Sequence, residues 1–212
     1  MLLHAIYLVA IVAEAMSGAI IGMRRGMDLF GICLIGTVTA LGGGSIRDVL
    51  LGHYPLSWIA HPQYLLFTIG AAIVTALVAR QLHHLRKVFL LVDGLGLVTF
   101  TVLGCDIARS TGAMSIGIHP GIAVMAGMIT GVFGGLLRDV LCNEVPLVMR
   151  HELYATVSLV TGALYMGLLW LHVDAAIAAL VAVAIGFAFR VLAMRFHWRL
   201  PGFSGEGIRG IE

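Results

Sequence analysis

Apolar residues run in long stretches along the chain, separated by short polar or Pro- and Gly-containing connections. A transmembrane α-helix needs about 20 predominantly apolar residues, and each stretch has roughly that length. The pattern predicts an all-α membrane protein that forms a single transmembrane domain over residues 1–212. Its seven predicted spans lie at about 2–23, 28–51, 62–82, 88–108, 118–142, 151–171 and 174–194.

The composition supports this fold class and excludes several functions. Hydrophobic residues make up 60% of the chain and charged residues 11%, with a mean hydropathy of +1.02, whereas soluble domains are about 25% charged. The sequence has no nucleophile–base pair, metal-ligand spacing or cofactor loop, and its basic residues form no nucleic-acid-binding patch. We therefore expect no enzyme activity, cofactor, nucleic-acid partner or other protein partner. Membrane lipid is the expected surrounding, and the sequence is compatible with a bound lipid.

Positive charges are distributed unevenly between the two sides that seven spans define. Arg47 and Arg138 lie inside spans and are left out of this count. Of the remaining basic residues, Arg109 falls on one side and ten fall on the other. Because cytoplasmic loops carry an excess of Lys and Arg, we predict an outside N-terminus and a cytoplasmic tail at 195–212. The ten residues are Arg24, Arg25, Arg80, Arg86, Lys87, Arg150, Arg190, Arg195, Arg199 and Arg209.

One 18-residue pattern occurs twice, beginning at Thr39 and again 91 residues later at Thr130. Nine of the 18 aligned positions are identical, among them two glycines, an Arg-Asp pair and a Pro-Leu pair. Because three spans separate the start of one repeat from the start of the next, the repeats must cross the membrane in opposite directions, as in many transport proteins. We assign repeat one to 2–82, repeat two to 88–171 and the seventh helix to 174–194.

Adjacent glycines lie in the middle of the second and fifth spans. Since Gly costs about 1 kcal/mol relative to Ala inside a helix, they predict an unwound turn that breaks each span. Freed carbonyls suit K⁺ or Na⁺, and hydroxyls of Thr39 and Thr130 would add oxygens. The alternative is that these glycines only let helices pack closely. The glycines are Gly42, Gly43, Gly44, Gly134 and Gly135, and the carbonyls proposed for K⁺ are those of Gly42, Gly43 and Gly134.

Charged pairs follow the glycines in both repeats, Arg47 with Asp48 and Arg138 with Asp139. Sequence neighbours point about 100° apart on a helix, so we expect neither Arg to pair with its own Asp. The alternatives are pairing across the repeats, Arg47 with Asp139 and Arg138 with Asp48, capping of freed carbonyls, lining of a vestibule, or stapling of helices.

Two further acids lie within predicted spans, Glu14 in the first and Asp93 in the fourth. A charged acid in mid-membrane costs at least about 2.5 kcal/mol, so Glu14 is either protonated and hydrogen-bonded or faces water or a cation. Asp93 lies six residues after Lys87, so it either sits at the membrane interface or lines a pathway.

The doubled Gly-Gly-x-x-Arg-Asp motif resembles that of the prokaryotic relatives of the trimeric intracellular cation (TRIC) channels, over about residues 13–195. The resemblance implies seven helices, two inverted three-helix repeats and a homotrimer in the bacterial inner membrane. It also implies one K⁺-permeable pore per subunit that passes Na⁺ as well, with the glycines as kinks of its helices. Glu14 departs from this family, whose members commonly have an apolar or aromatic residue there.

Two functions remain open from the sequence. In a cation channel, the glycine breaks and the two threonines form the path, and Asp48, Asp139 and Glu14 favour cations. The same bacterial domain is also associated with glycine uptake. In a secondary transporter for glycine or a similar small zwitterion, Arg47 or Arg138 would bind the carboxylate and an Asp the ammonium group.

Overall fold

The computed structural model describes residues 2–79, 85–111, 119–149 and 153–198. Within these ranges the chain is helical and contains no strand. A 3-10 turn lies at Leu147–Met149. The α-helices are α1 (Leu2–Arg24), α2 (Leu29–Leu51), α3 (Ser57–Ala60), α4 (Gln63–Val78), α5 (Leu85–Ser110), α6 (Pro120–Leu141), α7 (Tyr154–Trp170) and α8 (Ala175–Arg195).

Local sequence signals set several helix ends. The Asp28 side chain caps α2 by accepting a hydrogen bond from the Gly31 backbone N–H at 2.8 Å. Gly52 ends the same helix in the left-handed conformation, with φ of 64°, which glycine adopts without a Cβ clash. Asp174 caps α8 in the same way as Asp28 caps α2, through the backbone N–H of Ala176 at 2.9 Å.

Each predicted apolar stretch coincides with a helix, but the helices differ in length. In the described part of the chain, five are long and apolar enough to cross a membrane: α1, α2, α5, α6 and α8. The other two apolar helices, α4 and α7, have 16 and 17 residues. The four-residue helix α3 was not predicted.

Some sequence predictions fall outside the described residues. The predicted tail 195–212 is described only as far as Trp198, and the predicted ends of spans 3 and 6 reach into 80–84 and 150–152. Of the residues used to predict topology, Arg80, Arg150, Arg199 and Arg209 lie outside the described ranges.

Four helices form the centre of the bundle. Helix α1 packs against α2 and α5, and α6 packs against α5 and α2. Helix α4 lies against α1 and α2, α7 lies against α5 and α6, and α8 covers α7 and α5. Helices α1, α2 and α4 therefore contact one another, and helices α5, α6 and α7 repeat the same set of contacts. Large apolar side chains such as Phe30 and Trp170, 76% and 80% exposed, cover the outside, as a lipid-facing surface requires.

The predicted break at the doubled glycines is wrong. Helices α2 and α6 are each continuous across Gly42–Gly44 and Gly134–Gly135. Tertiary packing overrides the low helix propensity of glycine here, because these residues lie where the two helices touch. The alternative interpretation, that the glycines allow close packing, describes them correctly.

Candidate functional site

The centre of the candidate site is the contact between α2 and α6. A Cβ added at Gly43 would collide with the carbonyl oxygen of Thr130 and lie 3.1 Å from the Gly134 backbone nitrogen. A Cβ at Gly134 would collide with the carbonyl oxygen of Thr39. Earlier positions on one helix therefore face later positions on the other, and the helices run in opposite directions where they touch backbone to backbone.

The two threonines of the motif pack against the helices on either side of this contact, Thr39 against α1 and Thr130 against α5. The Thr39 hydroxyl donates to the Ile35 carbonyl oxygen of its own helix at 2.6 Å and lies against Gly18 of α1. The Thr130 hydroxyl donates to the Ala126 carbonyl oxygen at 2.7 Å, and Thr130 packs on Gly104 of α5. Both hydroxyls are buried and directed at neighbouring helices, so the structure does not bring them together between α2 and α6.

The other three glycines of the motif make room for side chains. A Cβ at Gly42 would lie 2.7 Å from Leu137 Cδ1 of α6. At Gly44 the nearest neighbour is the Arg47 guanidinium, with Nη2 at 3.6 Å. At Gly135 the Tyr154 hydroxyl and Arg138 Nη2 would lie at 3.2 and 3.4 Å. Gly44 and Gly135 therefore lie beside the buried guanidinium groups.

At one end of the contact, Arg47 pairs with its own neighbour Asp48. The guanidinium donates from Nε and Nη2 to Asp48 Oδ1 at 3.0 and 2.6 Å, and both side chains are fully buried. The other carboxylate oxygen accepts from the Ser57 backbone N–H at 3.0 Å and its hydroxyl at 2.8 Å. His53 Nδ1 lies 3.2 Å from Asp48 Oδ1. Asp48 thus fixes the chain that follows α2.

A cavity of about 320 Å³ opens beside this Arg-Asp pair. It lies between the first turns of α1 and α4, the short helix α3 and the last turns of α5. Polar and aromatic groups line much of it, including those of His4, Tyr7, His53, Ser57, His61 and Asp106. The cavity gives the buried Arg-Asp pair a polar neighbourhood at this end of the bundle.

At the opposite end, Arg138 also pairs with its own neighbour. Its Nε donates to Asp139 Oδ1 at 2.8 Å, and Asp139 Oδ2 accepts from the Leu147 backbone N–H at 2.9 Å. In addition, Nη1 donates to Asp93 Oδ1 of α5 at 2.6 Å and to the Ser17 hydroxyl of α1 at 2.9 Å. This arginine therefore joins α1, α5 and α6, whereas the partners of Arg47 among the described residues are Asp48 of its own helix and Ser57 of α3.

The predicted pairing is wrong in both repeats, because each Arg bonds its own Asp and no cross-repeat pair forms between these four described residues. The 100° separation applies to the Cα–Cβ directions, whereas the long Arg side chain curves back beyond its Cβ. The capping of freed carbonyls also fails, since both helices are continuous. The arginines instead staple segments of the chain, and Asp93 contributes to one of these staples.

Glu14 lies close to the Arg138 end. Its Oε2 accepts from the Ser17 hydroxyl at 3.0 Å, and Ser17 in turn accepts from Arg138. The side chain is 1% exposed and fills the space that Gly96 of α5 leaves open. Sequence reasoning found Glu14 but missed Ser17, although Ser17 lies one helical turn further along α1.

Comparison with known proteins finds a family and relatives that match nearly the whole chain. A family model described as "Glycine transporter" matches residues 4–80 and 90–170. The chain is 34% identical over 206 residues to the UPF0126 inner membrane protein YadS of Escherichia coli K12, covering 96% of this chain and 97% of that protein. It is 36% identical over 199 residues to the membrane protein YvgT of Bacillus subtilis, covering 92% and 94%.

Solved structures of the same fold are TRIC channels. The TRIC orthologue from Rhodobacter sphaeroides has a TM-score of 0.85 at 31% identity, covering 92% of this chain and 98% of that one. A structure of a TRIC cation channel solved to explain its conductance has a TM-score of 0.83 at 35% identity, covering 95% and 97%. The resemblance inferred from the doubled motif is thereby confirmed.

Proposed function

Because the chain belongs to the prokaryotic TRIC-type family and carries its glycine-transporter domain twice, we propose that it is a cation channel permeable to K⁺. Membership in this family makes it a multi-pass membrane protein and not an enzyme. The proposed location is the bacterial inner membrane, as for YadS of E. coli.

The proposed assembly is a homotrimer with one pore inside each subunit, in keeping with the TRIC name of the solved relatives. Within a subunit we propose seven spans, with α1, α2 and α4 related to α5, α6 and α7 as inverted repeats. The recurring neighbours of these helices and the opposite directions of α2 and α6 support this assignment. The N-terminus would lie outside and the C-terminus in the cytoplasm.

One observation carries the proposed pore position: α2 and α6 touch through glycines at mid-length, and buried charges flank this contact at opposite ends. At the contact itself, Gly43 and Gly134 leave no space for an ion. The carbonyls of Gly42, Gly43 and Gly134 lie within continuous helices, so no break frees them for K⁺. Conduction therefore requires α2 and α6 to move apart, which would expose to K⁺ the carbonyl oxygens of Thr39 and Thr130 that face this contact. Because Gly43 and Gly134 have no side chains, α2 and α6 can separate there without side chains sliding past one another.

Planar bilayers with purified protein under asymmetric KCl test this proposal. We expect discrete currents that reverse near the K⁺ equilibrium potential, with Na⁺ also permeant. Gly43→Leu should abolish them, because its side chain would wedge against the α6 backbone. Gly70→Leu is the matched control, since Gly70 of α4 has no neighbour within 4 Å that a Cβ would meet. Normal currents from folded Gly43→Leu protein would refute the pore position.

A glycine transporter is the second candidate, and a specific feature favours it. Arg47 Nη1 and Arg138 Nη2 have no hydrogen-bond partner among the described residues, so each arginine keeps a donor for a carboxylate. Proteoliposomes with radiolabelled glycine test this function. Saturable uptake whose KM rises in Arg47→Lys would support the transporter, whereas K⁺ currents without uptake would leave only the channel.

A further inference from the structure

Two acidic side chains at the Arg138 end, those of Glu14 and Asp93, each have one oxygen without a hydrogen-bond partner among the described residues. We propose that Glu14 and Asp93 form a binding site for one monovalent cation, K⁺ or Na⁺, at this end of the pathway only. The proposal rests on the proposed channel function for its role in conduction, but the site can be tested by binding alone.

Three buried oxygens near Arg138 lack a partner among the described residues. They are Glu14 Oε1, Asp93 Oδ2 and the Tyr154 hydroxyl, in side chains that are no more than 1% exposed. Most buried polar atoms in proteins are hydrogen-bonded, and leaving one unsatisfied costs about 1–3 kcal/mol, more for a charged group. Three such oxygens near one arginine can serve as ligands for a cation, and Arg138 Nη2 beside them is without a partner among the described residues as well.

The charges of the cluster do not cancel. The carboxylates of Asp93 and Asp139 bond the guanidinium of Arg138 directly, and the carboxylate of Glu14 is linked to it through the Ser17 hydroxyl. The guanidinium of Arg190 lies over the Tyr154 ring, with its Cζ 5.0 Å from the ring centroid. Even with Arg190 counted, this cluster, as far as the structure describes it, holds three carboxylates and two guanidiniums. A net charge buried in a bundle is costly, and one monovalent cation would neutralise it.

Glycines give the acidic groups their room. A Cβ at Gly96 would collide with the Glu14 carboxylate, so α5 admits this side chain only because residue 96 is glycine. A Cβ at Gly135 would lie 3.2 Å from the Tyr154 hydroxyl and 3.7 Å from Asp93 Oδ1. Carboxylate and hydroxyl oxygens are the ligands that hard cations prefer.

The other end of the bundle lacks this acidic pair. Gly18 of α1 and Gly104 of α5 take equivalent positions, because each packs on a threonine of the repeated motif. Asp93 lies 11 residues before Gly104, and the residue 11 before Gly18 is Tyr7. Likewise Glu14 lies four residues before Gly18, and its counterpart four before Gly104 is Phe100.

Tyr7 and Phe100 form an aromatic pair, with ring centroids 5.9 Å apart and near-perpendicular planes. Carboxylates thus occupy one end and aromatic rings the equivalent places at the other. The acidic pair is therefore no requirement of the fold, since the same helices pack there without it. It makes the pathway asymmetric, with a cation site at a single end.

Thermal unfolding of the purified protein in detergent tests the site without any conduction. A ligand that binds only the folded state raises the unfolding temperature as its concentration rises. We expect KCl to raise the Tm above that in N-methylglucamine chloride of equal ionic strength, and Glu14→Gln to remove this difference. Glu14→Gln is preferred to Asp93→Asn because Glu14 reaches Arg138 only through Ser17, whereas Asp93 bonds it directly.

The matched control is Glu144→Gln, which removes one carboxylate from an exposed pair with Arg25 outside the cluster. It should keep the K⁺-dependent Tm. A Tm of Glu14→Gln that depends on K⁺ as strongly as the wild-type Tm would overturn the site. A wild-type Tm that changes with acid but not with K⁺ would also overturn it, because Glu14 would then hold a proton instead of a cation.

Bilayer currents separate this proposal from the channel function. If the site is present, the K⁺ concentration that gives half-maximal wild-type current should be lower when K⁺ is supplied from one side of the bilayer than from the other. Glu14→Gln should raise the lower of these two concentrations severalfold. K⁺ currents without K⁺-dependent stability would overturn the site and leave the channel. K⁺-dependent stability lost in Glu14→Gln, in a protein that passes no current, would support the site and refute the channel.

Discussion

Gly43→Ala is the most direct test of the contact between α2 and α6. The added methyl would meet backbone atoms, the carbonyl oxygen of Thr130 and the nitrogen of Gly134, neither of which can rotate away. Relief requires the helices to separate by on the order of 1 Å, and such overpacking typically costs about 1–3 kcal/mol. Because this contact joins two central helices, we expect a loss of about 2–3 kcal/mol.

Reversible unfolding in mixed micelles of increasing SDS content measures this loss. Gly70→Ala is the control, because a Cβ there meets nothing within 4 Å and Ala should stabilise helix α4 by about 0.5–1 kcal/mol. The two substitutions are chemically identical, so their difference isolates the helix contact from helix propensity. Equal free energies of unfolding for the two variants would refute the close approach of α2 and α6.

Three further predictions follow from the buried polar contacts. Arg138→Gln should lower the free energy of unfolding by about 3–5 kcal/mol, because it leaves the buried carboxylates of Asp93 and Asp139 unpaired. Arg25→Gln, which breaks a partly exposed pair with Glu144, should cost no more than about 1 kcal/mol in the same assay. Similar losses in the two variants would contradict the burial of the Arg138 pairs. Thr39→Val should leave single-channel conductance unchanged, since its hydroxyl bonds its own helix, and a large drop would return Thr39 to the pathway. Tyr165→Phe should cost about 1 kcal/mol in unfolding experiments, through loss of the 2.8 Å bond to Asp106, and an unchanged stability would count against that bond.

Much of the fold could be predicted because the signal lies within each segment. The apolar stretches of about 20 residues located the long helices, and the second began and ended within one residue of its prediction, at Leu29–Leu51. The repeated motif also marked the elements that meet at the centre, since the glycines and the Arg-Asp pair of the two copies lie on α2 and α6. It predicted the family as well, which the solved TRIC structures confirm.

The candidate site was predicted less well, because its contacts join distant residues. Gly43 and Gly134 have low helix propensity, which locally favours a break, yet each helix stays intact because its neighbour packs on the bare backbone. The partners of Arg138 likewise include Ser17 of α1 and Asp93 of α5, and nothing near Arg138 in sequence indicates them.

The sequence by itself determined that this chain lies in a membrane, where its helices run, and that it carries one motif twice. These properties depend on composition and spacing within short segments, which hydropathy reports directly. Only the tertiary structure decided that the glycines join continuous helices, that each Arg bonds its own Asp, and that Glu14 and Asp93 both lie in the hydrogen-bond network of Arg138. Such contacts depend on how helices from different parts of the chain approach, and packing sets that approach.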